Sequence, residues 1–186
     1  MKLTVCNGSP RGTGSNTGLL LEHFITGFEE TAGNSHELFH LNRSDWRESA
    51  AKAFGGAETV LLAYPLYTDA MPGIVKEFLE RLACYRGRPH NPRLLFLVQS
   101  GFPEGSHTSH VPRYHEKLAR RLGCDYVGTI RRGGIEGIRA QPPSMNRKLF
   151  GRFMDLGRGF GRDGRLDEGL LAKLRGRERM PRPWLW

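Results

Sequence analysis

Cysteine is scarce in this chain of 186 residues, and long apolar runs are missing. The three cysteines, Cys6, Cys84 and Cys124, lie far apart and form no Cys-x-x-Cys pair, which disfavours disulfides, zinc sites and iron–sulfur clusters. The sequence has no run of about 18 apolar residues that could span a bilayer. The N-terminus leads directly into a strand-like segment, without the long apolar region of a signal peptide. We therefore expect a soluble, cytoplasmic protein without a metal site or a membrane segment.

Positive charge is concentrated at one end of the sequence. Residues 1–130 carry 14 Lys and Arg against 13 Asp and Glu, whereas residues 131–186 carry 14 against 6. Such an excess attracts nucleic acid, an anionic membrane surface, a phosphate-bearing coenzyme or an acidic partner. Because no aromatic stacking pattern or nucleic-acid motif accompanies the charge, we favour a solvated helical face and do not expect nucleic acid to bind.

A turn rich in glycine and hydroxyl groups joins the first apolar segment to a helical pattern over Val5 to Thr17. Small residues let backbone N–H groups approach an anion, and the following helix directs its positive end to the same place. The turn therefore indicates a phosphate cradle, and an ordinary helix-capping turn is the alternative.

The same turn lacks the residues of two familiar nucleotide loops. Gly14 is followed by Ser15-Asn16 rather than the Lys-Ser/Thr of an ATP or GTP loop. The glycines miss the dinucleotide spacing Gly-x-Gly-x-x-Gly by one residue, and no acidic residue closes a strand about 20 positions later. A phosphomonoester held by hydroxyls and backbone amides fits the turn better.

Five apolar strands alternate with helical patterns along the chain. Such alternation predicts a parallel sheet covered on both faces, with ligands beyond the carboxyl ends of the strands. The predicted strands cover residues 2–7, 36–41, 59–64, 94–99 and 125–130. The predicted helices cover residues 16–31, 46–54, 72–85, 111–122, 142–158 and 166–174.

Three segments resemble the flavin loops of flavodoxin-like NAD(P)H-dependent FMN reductases. They are Gly8-Ser9-Pro10-Arg11 with Ser15-Asn16-Thr17, the segment from Tyr64 to Phe78, and Ser100-Gly101-Phe102-Pro103-Glu104. The resemblance spans residues 1 to about 136. It implies a flavodoxin-like three-layer sandwich with a five-stranded parallel sheet of order 2-1-3-4-5. It also implies bound FMN, NAD(P)H as co-substrate and a small electron acceptor such as a quinone, nitro compound or flavin.

The resemblance assigns roles to residues of all three loops. The FMN phosphate would be held by Ser9, Ser15, Asn16 and Thr17, with Arg11 adding charge or lying on the rim. The isoalloxazine would be bordered by Pro65, Leu66, Tyr67, Thr68, Asp69, Ala70 and Met71. The pyrimidine side would be closed by Ser100, Gly101 and Phe102. Tyr67 is the preferred stacking aromatic, unless it packs on a neighbouring helix.

No acid–base pair or nucleophile stands out, which suits a protein whose cofactor carries the chemistry. We therefore assign no catalytic residue, and we interpret His107, His110 and His115 as surface histidines. An FMN electron-transfer protein and a flavodoxin-like module that binds an anionic polymer are the two alternatives. The first would bind FMN without turning over NAD(P)H, and the second would bind its polymer in a salt-dependent way.

The last part of the chain departs from the family pattern. We predict one domain over residues 1–186, in which residues 137–186 form a basic helical extension packed on that domain or on a second subunit. Residues 181–186 could serve as an apolar anchor. Members of the family often pair, so a homodimer is expected.

Overall fold

The computed structural model describes residues 1–179, so the anchor predicted at residues 181–186 lies outside the described part. The strands are β1 (Lys2–Asn7), β2 (Ser35–His40), β3 (Thr59–Pro65), β4 (Arg93–Gln99) and β5 (Tyr126–Arg132). The helices are α1 (Asn16–Glu29), α2 (Ser44–Phe54), α3 (Gly73–Arg81), α4 (Val111–Leu122), α5 (Pro143–Asp163) and α6 (Glu168–Arg175). Helix α3 ends before the predicted residue 85 because Leu82–Tyr85 tighten into a 3-10 turn.

The five strands form one parallel sheet in the order β2-β1-β3-β4-β5, which confirms the predicted fold. Every residue of β3 is buried, as expected for a continuous apolar strand covered on both faces. Helices α1, α5 and α6 contribute to the core on one face, whereas α2, α3 and α4 contribute to the core on the other. The order reverses between β1 and β3, which leaves a crevice at their carboxyl ends.

Helix α5 packs tightly on α1 and brings the predicted extension into the core. Phe153, Leu156 and Phe160 are fully buried. The helix backbones approach so closely that a Cβ atom on Gly157 would overlap the carbonyl oxygen of Phe24. The extension therefore completes one of the two apolar layers with residues from Ile138 to Leu174.

Helix α4 buries a histidine that sequence reasoning placed on the surface. His115 has no exposed area, so that prediction was wrong. The signal was present, because His115 follows Val111 by four residues and precedes Ala119 by four on the apolar face of α4. Burial lowers the pKa of His115 to about 3, so the ring is neutral at physiological pH.

Some basic side chains of the extension lie on the surface beside acidic groups. Arg158 pairs with Glu30, the residue that follows α1, and with Asp155. These exposed pairs each contribute little to stability. Over residues 1–179, no helix has the length and apolarity needed to cross a membrane, and no cluster of three or more His, Cys, Asp or Glu could hold a metal.

Candidate functional site

A crevice of about 230 Å³ opens where β1, β3 and β4 end. Ten of the fifteen residues predicted to bind a cofactor line this crevice, in all three loops. The lining comprises Ser9, Arg11, Asn16, Pro65, Leu66, Tyr67, Thr68, Gln99, Ser100, Gly101, Phe102 and Glu136. Ser15, Thr17, Asp69, Ala70 and Met71 were also predicted but do not line it.

The loop after β1 lies directly against β3. The Gly8 amide donates to the carbonyl of Ala63 at 2.7 Å, and a Cβ atom at Gly8 would overlap the Val75 side chain. The amide of Ser9 donates to Asn7 Oδ1 at 3.0 Å. These bonds hold Ser9, which is only 2% exposed, at the inner wall of the crevice.

The first turn of α1 supplies unpaired backbone donors. Ser15 is the N-cap, and its hydroxyl oxygen accepts from the Gly18 amide at 2.9 Å. The amides of Asn16 and Thr17 precede the first intrahelical bond, and neither donates to an acceptor within residues 1–179. Together with the helix dipole, these two N–H groups favour an anion at this point.

Ser15 and Thr17 shape the cradle from behind. Ser15 is buried and occupied as a cap. Thr17 is also buried, and its hydroxyl oxygen accepts from Gln99 Nε2 at 3.3 Å. Of this hydrogen-bonded pair, Gln99 lines the crevice and Thr17 lies behind it.

The loop after β3 makes a tight hairpin turn. Tyr67 and Ala70 exchange two backbone hydrogen bonds of 2.9 Å, and Thr68 and Asp69 between them have φ values of 45° and 62°. Both central residues are thus left-handed, as in a type I′ turn, although a β-branched threonine disfavours that conformation. The turn presents Tyr67 and Thr68 to the crevice and Asp69 to a separate cavity on its other side.

The loop after β4 forms the opposite wall. The Ser100 amide donates to the carbonyl of Arg132 at 2.9 Å, and the Ser100 hydroxyl donates to the Phe102 carbonyl at 3.2 Å. Phe102 is 58% exposed and stacks on His107 with ring centroids 4.5 Å apart. An exposed aromatic ring therefore stands at the mouth of the crevice.

Gln99 and Glu136 line the crevice but were not predicted. Gln99 is the last residue of β4 and immediately precedes the predicted Ser100, so its position at the strand end could have identified it. Glu136 comes from the loop after β5, and no local pattern marks it. Its carboxylate lies 4.0 Å from the guanidinium of Arg11, which is exposed on the rim.

The sheet order and the crevice at its reversal place the chain among the open parallel α/β proteins that bind ligands at the carboxyl ends of their strands. A family model described as flavodoxin-like fold matches residues 1–149, and the chain belongs to this family. The comparison with curated protein sequences gave no match.

Several solved structures share this fold at low sequence identity. An FMN-dependent NADH-azoreductase from Bacillus anthracis superposes with a TM-score of 0.65 and 15% identity, covering 86% of this chain and 99% of its own. An NAD(P)H:quinone oxidoreductase from Methanothermobacter marburgensis gives 0.67 and 18%, covering 86% and 96%. An NADH:FMN oxidoreductase in its apo form gives 0.62 and 18%, covering 99% and 98%. At such identities the likeness shows the fold.

Proposed function

We propose that this protein is an FMN-dependent oxidoreductase that takes a hydride from NAD(P)H and passes electrons to a small acceptor such as a quinone, a nitro compound or a flavin. The observation that carries the proposal is the meeting of three loops, after β1, β3 and β4, at one crevice. The solved structures of similar fold include an FMN-dependent azoreductase, a quinone oxidoreductase and an NADH:FMN oxidoreductase, which supports the same reaction class.

The residues at the start of α1 fit a phosphate group. The amides of Asn16 and Thr17, which have no acceptor in the described part of the chain, are available as donors. The Ser9 side chain lines the crevice, and its hydroxyl would add a third donor. Arg11 on the rim would add a positive charge to a dianionic phosphate.

The two facing loops fit a planar ring system. Residues 65–68 form one side of the crevice and residues 99–102 the other. Tyr67 and Phe102 are 48% and 58% exposed, so each has a ring face available to a ligand. Backbone groups of both loops would orient the polar edge of the ring, as preorganised dipoles do.

The chain itself supplies binding and orientation rather than acid–base chemistry. Arg11 and Glu136 are the charged side chains of the crevice lining, and both are exposed. Bound FMN would supply the chemistry, by accepting a hydride and releasing electrons to the second substrate. The open crevice would admit NAD(P)H and the acceptor in turn.

A homodimer in the cytoplasm is part of the proposal. Two large side chains of the crevice lining, Tyr67 and Phe102, are substantially exposed. A second copy would cover such a surface. Light scattering coupled to gel filtration measures the mass, and a monomer at micromolar concentration would remove this part of the proposal.

The test is a visible-absorption titration of the purified protein with FMN, followed by anaerobic addition of NADH or NADPH. We expect bound flavin that bleaches rapidly and recovers when a quinone is added. Bound flavin that does not bleach would instead indicate an electron carrier, and absence of binding would overturn the flavin proposal.

A matched pair of variants ties the result to the crevice. In Gly101→Trp the new ring would enter the crevice, because a Cβ atom there meets nothing nearer than Glu136 at 3.5 Å. Gly56→Trp places the same ring at an exposed glycine with nothing within 4 Å. Loss of FMN binding in the first variant alone is the expected result, and equal binding in both would contradict the location.

A further inference from the structure

A second cavity of about 230 Å³ lies behind the hairpin turn of residues 67–70, between that turn and the start of α4. It is lined by Tyr64, Leu66, Asp69, Ala70, Met71, His110, Val111 and Tyr114. Leu66 is the one residue that also belongs to the crevice lining. The two spaces are therefore neighbours with a shared wall, and nothing in the proposed reaction uses the second one.

The inner wall of this second cavity is apolar and rigid. Tyr64 and Val111 are buried, and the Tyr64 hydroxyl is held by His115 Nε2 at 2.5 Å. Leu66 and the thioether of Met71 complete an aliphatic and aromatic surface. An apolar cavity of about 150 Å³ holds one benzene ring, so the volume here suits one substituted ring or two fused rings.

The polar groups at the second cavity select against anions. Among residues 1–179, no lysine or arginine lines it, and Asp69 brings a carboxylate. Phosphates and carboxylates of a ligand would meet no basic partner other than a histidine, so a nucleotide does not fit. The Tyr114 hydroxyl makes no hydrogen bond to another residue within 1–179 and is free to pair with a hydroxyl or carbonyl group.

The turn that separates the two spaces is held in an unfavourable conformation. Thr68 and Asp69 both have positive φ, a conformation that is unfavourable for residues other than glycine. His110 Nε2 lies 3.3 Å from the carbonyl oxygen of Asp69 and can donate to it, which ties the turn to α4. Strain of this kind is retained where surrounding structure imposes it, and here the strained turn lies between the second cavity and the crevice.

We propose that the second cavity is a binding site for a neutral aromatic molecule of one or two rings that carries a hydroxyl or carbonyl group. The apolar wall takes the ring, Met71 contacts it, and Tyr114 pairs with its oxygen. The site is independent of the FMN proposal, because it shares only Leu66 with the crevice.

The probe for this site is 1-naphthol, and the reporter is the methyl NMR signal of Met71. Titration at neutral pH, in full-length protein with and without saturating FMN, should shift the Met71 signal to saturation in both states. Met154 is the internal control, because it lies on α5, whose backbone at this residue packs against Gly27 of α1 on the other face of the sheet. The anionic 1-naphthalenesulfonate should bind at least about tenfold more weakly.

Two variants locate the probe. Ala70→Trp would fill the second cavity from its exposed edge and should abolish the Met71 shift, whereas Ala83→Trp, at an exposed position of the turn after α3, should leave it unchanged. Tyr114→Phe removes one hydroxyl from an exposed side chain and should weaken 1-naphthol about five- to tenfold.

Three results would overturn the site. They are an unshifted Met71 signal, loss of 1-naphthol binding when FMN is added, and undiminished affinity in Ala70→Trp. Loss on adding FMN would place the probe in the crevice instead. Failure of the protein to bind FMN would leave the titration without FMN and its variants fully informative, so the two proposals fail separately.

Discussion

The phenolic oxygen of Tyr64 lies 2.5 Å from Nε2 of His115, inside the apolar layer between the sheet and α4. The chain of hydrogen bonds continues from His115 Nδ1 to Thr129 Oγ1 at 2.8 Å and from there to the Tyr126 hydroxyl at 2.7 Å. His115 also stacks on Phe96 with ring centroids 3.8 Å apart. A polar network thus crosses the core with its buried groups paired.

Removing one member of this pair should destabilise the protein. Tyr64→Phe leaves His115 Nε2 buried without its partner, which costs about 1–3 kcal/mol of unfolding free energy. Urea denaturation followed by circular dichroism measures the loss. Tyr114→Phe is the matched control, because its hydroxyl is exposed, and its unfolding free energy should change by less than about 0.5 kcal/mol. An equal effect in both variants would contradict a specific role for the buried bond.

The same histidine should make stability fall in acid. Its folded pKa is lowered to about 3 by burial, whereas an unfolded histidine titrates near about 6.5. The unfolded chain therefore takes up the proton first, so the contribution is complete above about pH 6.5 and is lost as the pH falls toward the folded value. The slope reaches about 1.4 kcal/mol per pH unit for each such histidine.

Unfolding free energies between about pH 5 and 6.5 separate this effect from most carboxylates. Burial also lowers the pKa of His23 and of His40, so part of the slope belongs to them. His115→Phe should therefore lower the slope of unfolding free energy against pH by up to the equivalent of about one proton, and part of the slope should remain. A variant with the slope of the unchanged protein would show that His115 is not buried in neutral form.

The close contact between α1 and α5 predicts that replacing Gly157 and replacing Gly159 have opposite effects on stability. Gly157→Ala would drive a methyl group into the backbone of α1 at Phe24 and should cost about 1–3 kcal/mol or more. Gly159→Ala, two residues later in the same helix, meets nothing within 4 Å and should stabilise by about 0.5–1 kcal/mol. Thermal unfolding of the two variants should give midpoints that move in opposite directions.

Ser9 and Ser15 should affect FMN affinity for different reasons. Ser9→Ala removes a donor at the crevice and should weaken FMN about five- to tenfold with little change in stability. Ser15→Ala removes the cap of α1 and should lower the unfolding free energy by about 1 kcal/mol, with weaker FMN binding because the amides lose their order. Ser15→Thr keeps the cap and should restore both quantities. Fluorescence quenching of FMN gives the affinities.

Glu136 should oppose the binding of an anionic cofactor. Its carboxylate lies 4.0 Å from the Arg11 guanidinium and partly offsets that positive charge. Glu136→Gln should therefore strengthen FMN binding about two- to fivefold at low salt. Added salt should reduce the difference. Glu80→Gln, on the exposed face of α3, is the control. Weaker binding in Glu136→Gln would indicate that the carboxylate holds the ligand directly.

Apolar strands that alternate with helical patterns were enough to predict a parallel sheet, whereas the strand order came from the resemblance of the loops. The sequence did not show which residues of the first loop cap the helix and which face the crevice. A serine before a helix has the same sequence signature whether it caps the helix or binds a ligand, and the structure shows that the hydroxyl oxygen of Ser15 caps α1. Glu136 reaches the crevice only because the chain returns across it after β5, and such a return leaves no local pattern.

The conformation of the turn at residues 67–70 could not be predicted from its sequence either. Its sequence has neither the asparagine nor the glycine that usually announces two left-handed residues in succession. Register with β4 positions it, because the Leu66 amide bonds to the Gln99 carbonyl at 2.7 Å. Which side chains face the crevice and which face the second cavity is therefore decided by tertiary structure.

The start of α1 is braced by residues that come more than a hundred positions later. Asn16 donates to the carbonyl of Ile135 at 3.0 Å, and Arg139 donates to the carbonyl of Ser15 at 2.8 Å. The start of α1 is synthesised early, whereas the residues that brace it are synthesised late. We therefore expect the proposed phosphate site to be complete only after the chain beyond Ile135 has been synthesised and has packed on α1.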